Sequence, residues 1–260
     1  MTKAIILAAG EGTRLRPLTN NIPKCLVEFL GKSLLDYQLE VFNKLNIKKI
    51  HIVSGYQEKK INRDGITKSV NQNYKKSNMV SSLFSCIDFI KGEEDLIISY
   101  GDIIYTKKNL EKVLNCKKDI SLMIDINSLE YWKIRTDNPL DDLESLIIDN
   151  ENNIKEIGKK IKNYKKLQGQ YTGLIKLKGS VINKLINYYK QLDKTKLYDT
   201  KNFNNMYMTS FLQLLIKSGW KIDATKVKNG WLEFDTIEDF NKYNQLHKVK
   251  KLKYFFNYKI

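Results

Sequence analysis

The chain has 260 residues, 42% hydrophobic and 28% charged, with a formal net charge of +16. That length suits one large folded unit with a real core, the composition excludes a disordered or fibrous chain, and no apolar run approaches the ~20 residues that cross a bilayer. The start, MTKAIILAAGEG, lacks the order of basic, apolar and small residues of a secretory signal, and Cys25, Cys86 and Cys116 match neither a zinc spacing nor a disulfide framework. Free thiols in a reducing, cytoplasmic setting are the expectation. The positive charge is mostly lysine and is spread along the chain, so it is either a solvated surface or a field that draws in small anionic substrates. No nucleic-acid-binding module is recognisable, so nucleic acid is not an expected partner.

In chain order, KAIILA (3–8) is a short apolar run ending at glycines and predicts a buried strand. Over 33–45, Leu34, Tyr37, Val41 and Leu45 share one helical face. KKIHIVSG (48–55) predicts the next strand, and strand–helix–strand with short joints predicts a parallel βαβ unit. Met79, Leu83, Ile87 and Ile90 keep helical spacing through 78–90. A strand at 95–102 ends in Gly-Asp, followed by a helix at 106–115 and a strand at 119–125. This alternation is doubly wound. From 126 to 168 turns mix with short strands. A strand is expected at 169–179 and helices at 180–189 and 206–217. GWKIDATKV and GWLEFDT read as a final strand pair, and a helix at 236–246 follows. The expected fold is α/β: a single Rossmann-like domain over 1–247, with a mixed, mostly parallel sheet. Its nucleotide-binding part covers about 1–125, a small α+β acceptor-binding part about 126–235, and a basic tail 248–260.

The stretch from Leu7 to Leu35 carries the chemistry. A glycine-rich turn after the first strand lies at the carboxyl edge of such a sheet, where ligands bind. Gly10 and Gly12 allow φ values that other residues avoid, so backbone N–H groups can face an anion. The spacing is neither a Walker loop nor G-x-G-x-x-G. Arg14 offers a planar fork for a polyphosphate, and Lys24, after Pro23, a second compact cation. From the residues alone, a triphosphate site and a solvated surface loop both stand.

LAAGEGTRL (7–15), Pro17-Leu18-Thr19 and Pro23-Lys24 together resemble the signature loop of the nucleotidyltransferases that make nucleotide-activated sugars and alcohols. NMVSSL (78–83), SYGDIIY (99–105), RTDNPLDDLES (135–145), EIGKK (156–160), QYTGL (170–174), MTSFLQ (208–213) and GWLEFDT (230–236) extend the resemblance to the phosphocholine cytidylyltransferase-like branch, and in particular to the CTP:phosphoglutamine cytidylyltransferases of bacterial capsule pathways. The resemblance implies the nucleotide-diphospho-sugar transferase fold. It also implies transfer of CMP from CTP to a phosphoglutamine- or phosphocholine-type acceptor, with release of pyrophosphate. It puts Mg²⁺ on Asp102 and Asp235, with Arg14 and Lys24 completing the catalytic set. Leu7, Ala8, Ala9, Gly10, Glu11, Gly12, Thr13, Arg14, Asn78 and Tyr100 would bind the nucleotide. Lys24, Arg135, Glu144, Lys159, Gln170, Tyr171 and Glu233 would bind the acceptor, with Trp132, Tyr171 and Trp231 as a possible cation–π wall. The implied protein is a monomer or homodimer without stable membrane insertion. The missing proline of the Glu-Lys-Pro element, at EIGKK, separates it from a sugar-1-phosphate nucleotidylyltransferase using UTP, dTTP or GTP, the main alternative. A non-catalytic relative or a basic binding protein that uses KVKKLKYFFNYKI (248–260) are the others.

Overall fold

The computed structural model describes residues 1–257. In chain order its strands are β1 (Thr2–Ala8), β2 (Glu28–Phe29), β3 (Lys32–Ser33), β4 (Lys49–Ser54), β5 (Thr67–Val70), β6 (Asp95–Tyr100), β7 (Ile103–Tyr105), β8 (Ile120–Asp125), β9 (Glu144–Ile148), β10 (Ile154–Lys160), β11 (Gln170–Leu177), β12 (Ile222–Val227) and β13 (Trp231–Glu233). The helices are α1 (Leu34–Lys44), α2 (Met79–Phe84), α3 (Ile87–Ile90), α4 (Lys107–Asn115), α5 (Ser128–Arg135), α6 (Gly179–Gln191), α7 (Met208–Lys217) and α8 (Ile237–Lys248).

The central sheet has seven strands in the order β12-β8-β11-β6-β1-β4-β5. β1 runs parallel to β4 and β6, β4 to β5, and β8 to β12. Only β11, in the middle, is antiparallel to both its neighbours. Both faces are covered, which is why β1 is apolar at every position from Ala4 to Ala8 rather than alternating. Ala4, Ile6 and Ala8 point into a core shared with Leu34 and Phe42 of α1, Leu110 of α4 and Tyr243 of α8. Ile5 and Leu7 point the other way, onto Val80 and Leu83 of α2, Ile182 of α6 and Phe211 of α7. The period of two thus divides one strand between two cores.

The helix starts are set locally. The Ser33 hydroxyl accepts the Asp36 N–H at 3.1 Å and starts α1, and Thr106 caps α4 through the Asn109 N–H. At α8, Thr236 and Asp239 cap each other reciprocally.

Four expectations from the sequence are corrected. The single helix over 78–90 is two, because Cys86 (φ −113°, ψ 40°) leaves helical geometry and the Ser85 hydroxyl bonds back to the Ser82 carbonyl. α5 stands where turns and short strands were expected. The last two strands do not pair with each other: β12 joins β8, while β13 forms an antiparallel ribbon with β7. β5 is an additional, polar edge strand. The described part of the 248–260 stretch folds back onto the body, with Leu252, Phe255 and Phe256 buried and Lys248, Lys250, Lys251 and Lys253 facing out. The Gly230 N–H bonds to the Phe255 carbonyl. Residues 258–260 of that stretch lie outside the described residues.

Candidate active site

Parallel β1, β4 and β6 all end at one edge of the sheet, and there the loops after β1 and β6, with the segment from Tyr74 into α2, build a cavity of about 290 Å³. After Ala8 the chain turns through Gly12, whose φ of 63° is a left-handed value. A Cβ on Gly12 would stand 3.0 Å from the Lys24 Cβ, so glycine serves both the turn and the passage of the lysine. The Thr19 hydroxyl clamps the Gly12 carbonyl at 2.7 Å. Among the described residues, no acceptor takes the N–H of Gly10, Glu11 or Gly12, which leaves them as anion donors. Gly10 has no left-handed φ; its missing side chain leaves open space instead, so the conformational reason given from the sequence applies to Gly12 alone.

β6 delivers Asp102. A Cβ on Gly101 would meet the Leu7 carbonyl at 2.8 Å, so glycine lets the end of β6 lie against β1. The segment between β13 and α8 delivers Asp235, and the Phe234 N–H donates to the Asp102 carbonyl at 2.9 Å, which ties the two segments together. Lys24 Nζ then donates to Asp102 Oδ2 at 2.7 Å and to Asp235 Oδ1 at 3.0 Å. Arg14 Nη2 lies 2.8 Å from Asp235 Oδ2. Burial alone would drive the lysine towards neutrality, but the two carboxylates outweigh it and raise its pKa above the ordinary value. Burial likewise pushes the Asp235 carboxyl up, and Lys24 and Arg14 reverse this and hold it below its ordinary range. The Arg14 side chain, though paired with Asp235, is 67% exposed and open to a ligand.

The donor set fits a hard divalent cation. Asp102 Oδ1 is buried with no hydrogen-bond partner, Asp102 Oδ2 and Asp235 Oδ1 meet on one cation, Lys24 Nζ, and Asp235 Oδ2 meets Arg14. Among the described residues no group of three or more acidic, histidine or cysteine side chains is placed to hold a metal ion, so two carboxylates would leave the remaining positions to phosphate and water. That is the usual division for Mg²⁺.

A second cavity, about 400 Å³, adjoins the first and shares Arg14, Asn78, Met79, Asp102 and Asp235 with it. Its far wall is aromatic and acidic: Tyr100, Trp132, Tyr171, Tyr207, Asp142, Glu144 and Glu233. Trp132 Nε1 donates to Asp142 Oδ2 at 2.8 Å. Burial, with Asp142 and Asp199 adding to it, pushes the Glu144 carboxyl up to about 7. Gln170 Oε1 is buried there without a hydrogen-bond partner.

Of the residues singled out from the sequence, Leu7, Ala8, Ala9, Gly10, Gly12, Thr13, Arg14, Lys24, Asn78, Asp102 and Asp235 line the first cavity. Tyr100, Glu144, Gln170, Tyr171 and Glu233 line the second. Glu11 lines neither; its carboxylate meets Arg16 at 3.5 Å and Lys75 at 3.8 Å. Asn78 Oδ1 accepts the Met79 N–H and opens α2. Lys159 pairs with Glu156 outside both cavities, and Trp231 is a core residue whose indole N–H bonds to Asp125. Arg135 is turned away from the cavities, onto Glu233 and Asp239. Tyr74 and Ser77 in the first cavity and Tyr207 in the second escaped the sequence reading, while Ser82 and Thr209 lie within NMVSSL and MTSFLQ but are not singled out there. They sit on turns and helix starts with no distinctive spacing.

Residues 3–136 match the Nucleotidyl transferase family. The chain is 40% identical over 245 residues to a CTP:phosphoglutamine cytidylyltransferase of Campylobacter jejuni, covering 91% of this chain and 96% of that one. A choline-phosphate cytidylyltransferase of Streptococcus pneumoniae is 42% identical over 86 residues, 32% of this chain and 38% of the other. Among solved structures, an inositol-1-phosphate CTP transferase from T. maritima superposes with a TM-score of 0.73 at 22% identity, over 99% of this chain and 98% of the other. The Streptococcus pneumoniae CTP:phosphocholine cytidylyltransferase gives 0.71 at 21%, over 96% and 99%. These two likenesses establish the shared nucleotide-diphospho-sugar transferase fold. With the family match over half its length and a near full-length relative, the chain is a member of the nucleotidyl transferase family.

Proposed function

We propose that the protein is a divalent-metal-dependent cytidylyltransferase that transfers CMP from CTP to a small phosphorylated amino compound, of phosphoglutamine or phosphocholine type, and releases pyrophosphate. The observation that carries this is the Arg14–Lys24–Asp102–Asp235 cluster at the junction of two adjoining cavities. CTP would occupy the first cavity and the acceptor the second, so the two reacting groups meet at the cluster. The Campylobacter jejuni relative supports the choice of nucleotide and acceptor.

Mg²⁺ bound by Asp102 and Asp235 would supply charge neutralisation at the α-phosphoryl oxygens and the leaving pyrophosphate. The residues do the rest. The Gly10–Gly12 N–H groups and Arg14 hold the triphosphate. Lys24, released from its two carboxylates, bridges the acceptor phosphate and the α-phosphoryl group. An oxygen of the acceptor phosphate attacks the α-phosphorus, the bond to the β-phosphate oxygen breaks, and the electron pair leaves with pyrophosphate. The nucleophile is already an anion, so no protein base has to move a proton. Catalysis is alignment and electrostatic stabilisation.

The test is acceptor-dependent pyrophosphate release with Mg²⁺. CTP, UTP, dTTP, ATP and GTP are each paired with phosphocholine, aminoethylphosphonate, phosphoglutamine and glucose-1-phosphate. Turnover with CTP and a nitrogen-bearing acceptor is expected. Turnover with glucose-1-phosphate alone would move the chain to the sugar-activating enzymes.

A further inference from the structure

Asp235 lies between the end of β13 and the start of α8, so neither strand nor helix hydrogen bonds fix it. On one side the Phe234 N–H ties the segment to Asp102, and on the other Asp239 holds the Asp235 backbone itself. Asp239 Oδ2 accepts the N–H of Asp235 at 3.2 Å and of Thr236 at 3.0 Å. That carboxylate is itself held from behind. Arg135 Nε donates to Asp239 Oδ1 at 2.9 Å and Nη2 to Oδ2 at 3.1 Å, and its third nitrogen, Nη1, donates to Glu233 Oε2 at 2.6 Å. The Arg135 side chain is 5% exposed and that of Asp239 4%. The guanidinium also lies 4.8 Å from the ring centre of Trp132, the residue whose indole holds Asp142 in the second cavity.

A capping box needs no buried arginine, and many helices start without one. Here a two-pronged pair grips both oxygens of Asp239 and sets the plane of its carboxylate, which a lysine, with its single ammonium, cannot do. Arg135 lines neither cavity, so it has no route to the acceptor except through its partners.

We infer that Arg135 is a positioning residue: through Asp239 it fixes the Asp235 backbone so that the Asp235 carboxylate faces Lys24 and Asp102. The inference rests on the role given to Asp235 under the proposed function. A misplacement of about 1 Å at reacting groups costs about 100-fold in rate, and loss of a residue supporting a metal ligand lowers metal affinity by about 10–100-fold.

The experiment uses the full chain with Arg135→Lys, which keeps the charge, and Asp239→Asn, which keeps the shape and one capping oxygen. Circular dichroism and thermal unfolding report folding. Steady-state kinetics separates kcat from acceptor KM, and Mn²⁺ titration in the presence of CTP, followed by electron paramagnetic resonance, reads the metal site without turnover. Expected are folded variants with kcat down about 30–100-fold, acceptor KM within about 3-fold, and Mn²⁺ affinity down about 10-fold. The double variant should be no worse than the poorer single one, as for two parts of one device. A raised acceptor KM at unchanged kcat would overturn the inference by making Arg135 a substrate-binding group. Folded variants with wild-type kcat and Mn²⁺ affinity would overturn it as well. If wild type makes no product from CTP and any acceptor, the proposed reaction fails instead, and the Mn²⁺ titration still decides the role of Arg135.

Discussion

Lys24→Met removes the one cation shared by Asp102 and Asp235 and leaves two carboxylates facing each other. At the observed 2.7 and 3.0 Å, and with an effective dielectric of about 20, each contact is worth roughly 6 kcal/mol gross. Desolvation cancels much of that, and breaking a buried ion pair typically costs about 3–5 kcal/mol. The three side chains keep 14–16% exposure, which places the loss at the lower end, about 3 kcal/mol. For a chain of this size that is roughly 6–12 °C in Tm. The sign with pH follows from the shifts. The Asp235 carboxyl is held below its ordinary range, so its contribution is present above about pH 4 and fades as pH falls through the lowered value. The Lys24 pKa is raised, so its contribution persists beyond pH 10. The deficit of the variant should therefore be full from about pH 5 to 9 and shrink below pH 4. Scanning calorimetry at pH 7 and near pH 3.5 measures it. Millimolar Mg²⁺ should restore part of the loss in the variant. A wild-type Tm at pH 7, or an equal deficit at both pH values, would refute the reasoning.

Three further outcomes follow from other parts of the molecule. Asp102→Ala should lose activity by about 10²–10⁴-fold while unfolding cooperatively, since it removes a cavity-edge oxygen pair and little packing; full activity in the pyrophosphate assay would sink the assignment. Glu144, pushed up to about 7, keeps its proton in the folded protein and releases it on unfolding from about pH 4.5 upward, so it costs stability as pH rises from there to about 7. Glu144→Gln should match wild type in unfolding free energy near pH 5 and exceed it at pH 8 by up to about 3 kcal/mol, less whatever solvent screens, and an unchanged difference between the two pH values in urea unfolding would contradict this. Phe256→Ala removes a ring buried against Tyr37 and should cost about 3 kcal/mol by urea unfolding; a loss under 0.5 kcal/mol would mean that the end of the chain is not part of the core.

The first half of the chain was legible because its signals are local. An apolar run ending at glycines, a helix with one apolar face and a Gly-Asp strand end each lie within a dozen residues, and Arg14, Lys24 and Asp102, which the resemblance groups together, line one cavity. What the sequence hid is non-local. Met79, Leu83, Ile87 and Ile90 keep helical spacing straight through the break at Cys86, since both short helices bury the same side. GWKIDATKV and GWLEFDT are separated by a turn and look like a hairpin, but each finds a better partner more than a hundred residues away. The resemblance puts Arg135 among the acceptor-binding residues, and nothing in the sequence marks its pairing with Glu233 and Asp239, 98 and 104 residues downstream. The KVKKLKYFFNYKI stretch reads as basic because its lysines are many, while its buried Leu252, Phe255 and Phe256 do the packing.

The most direct test of the central claim is ³¹P nuclear magnetic resonance of the wild-type protein with CTP, Mg²⁺ and one nitrogen-bearing phosphorylated acceptor. The account predicts pyrophosphate and a CMP–acceptor diphosphate growing in equal amounts, with neither formed when the acceptor is omitted. Release of monophosphate with CDP, or pyrophosphate that accumulates without the acceptor, would contradict it.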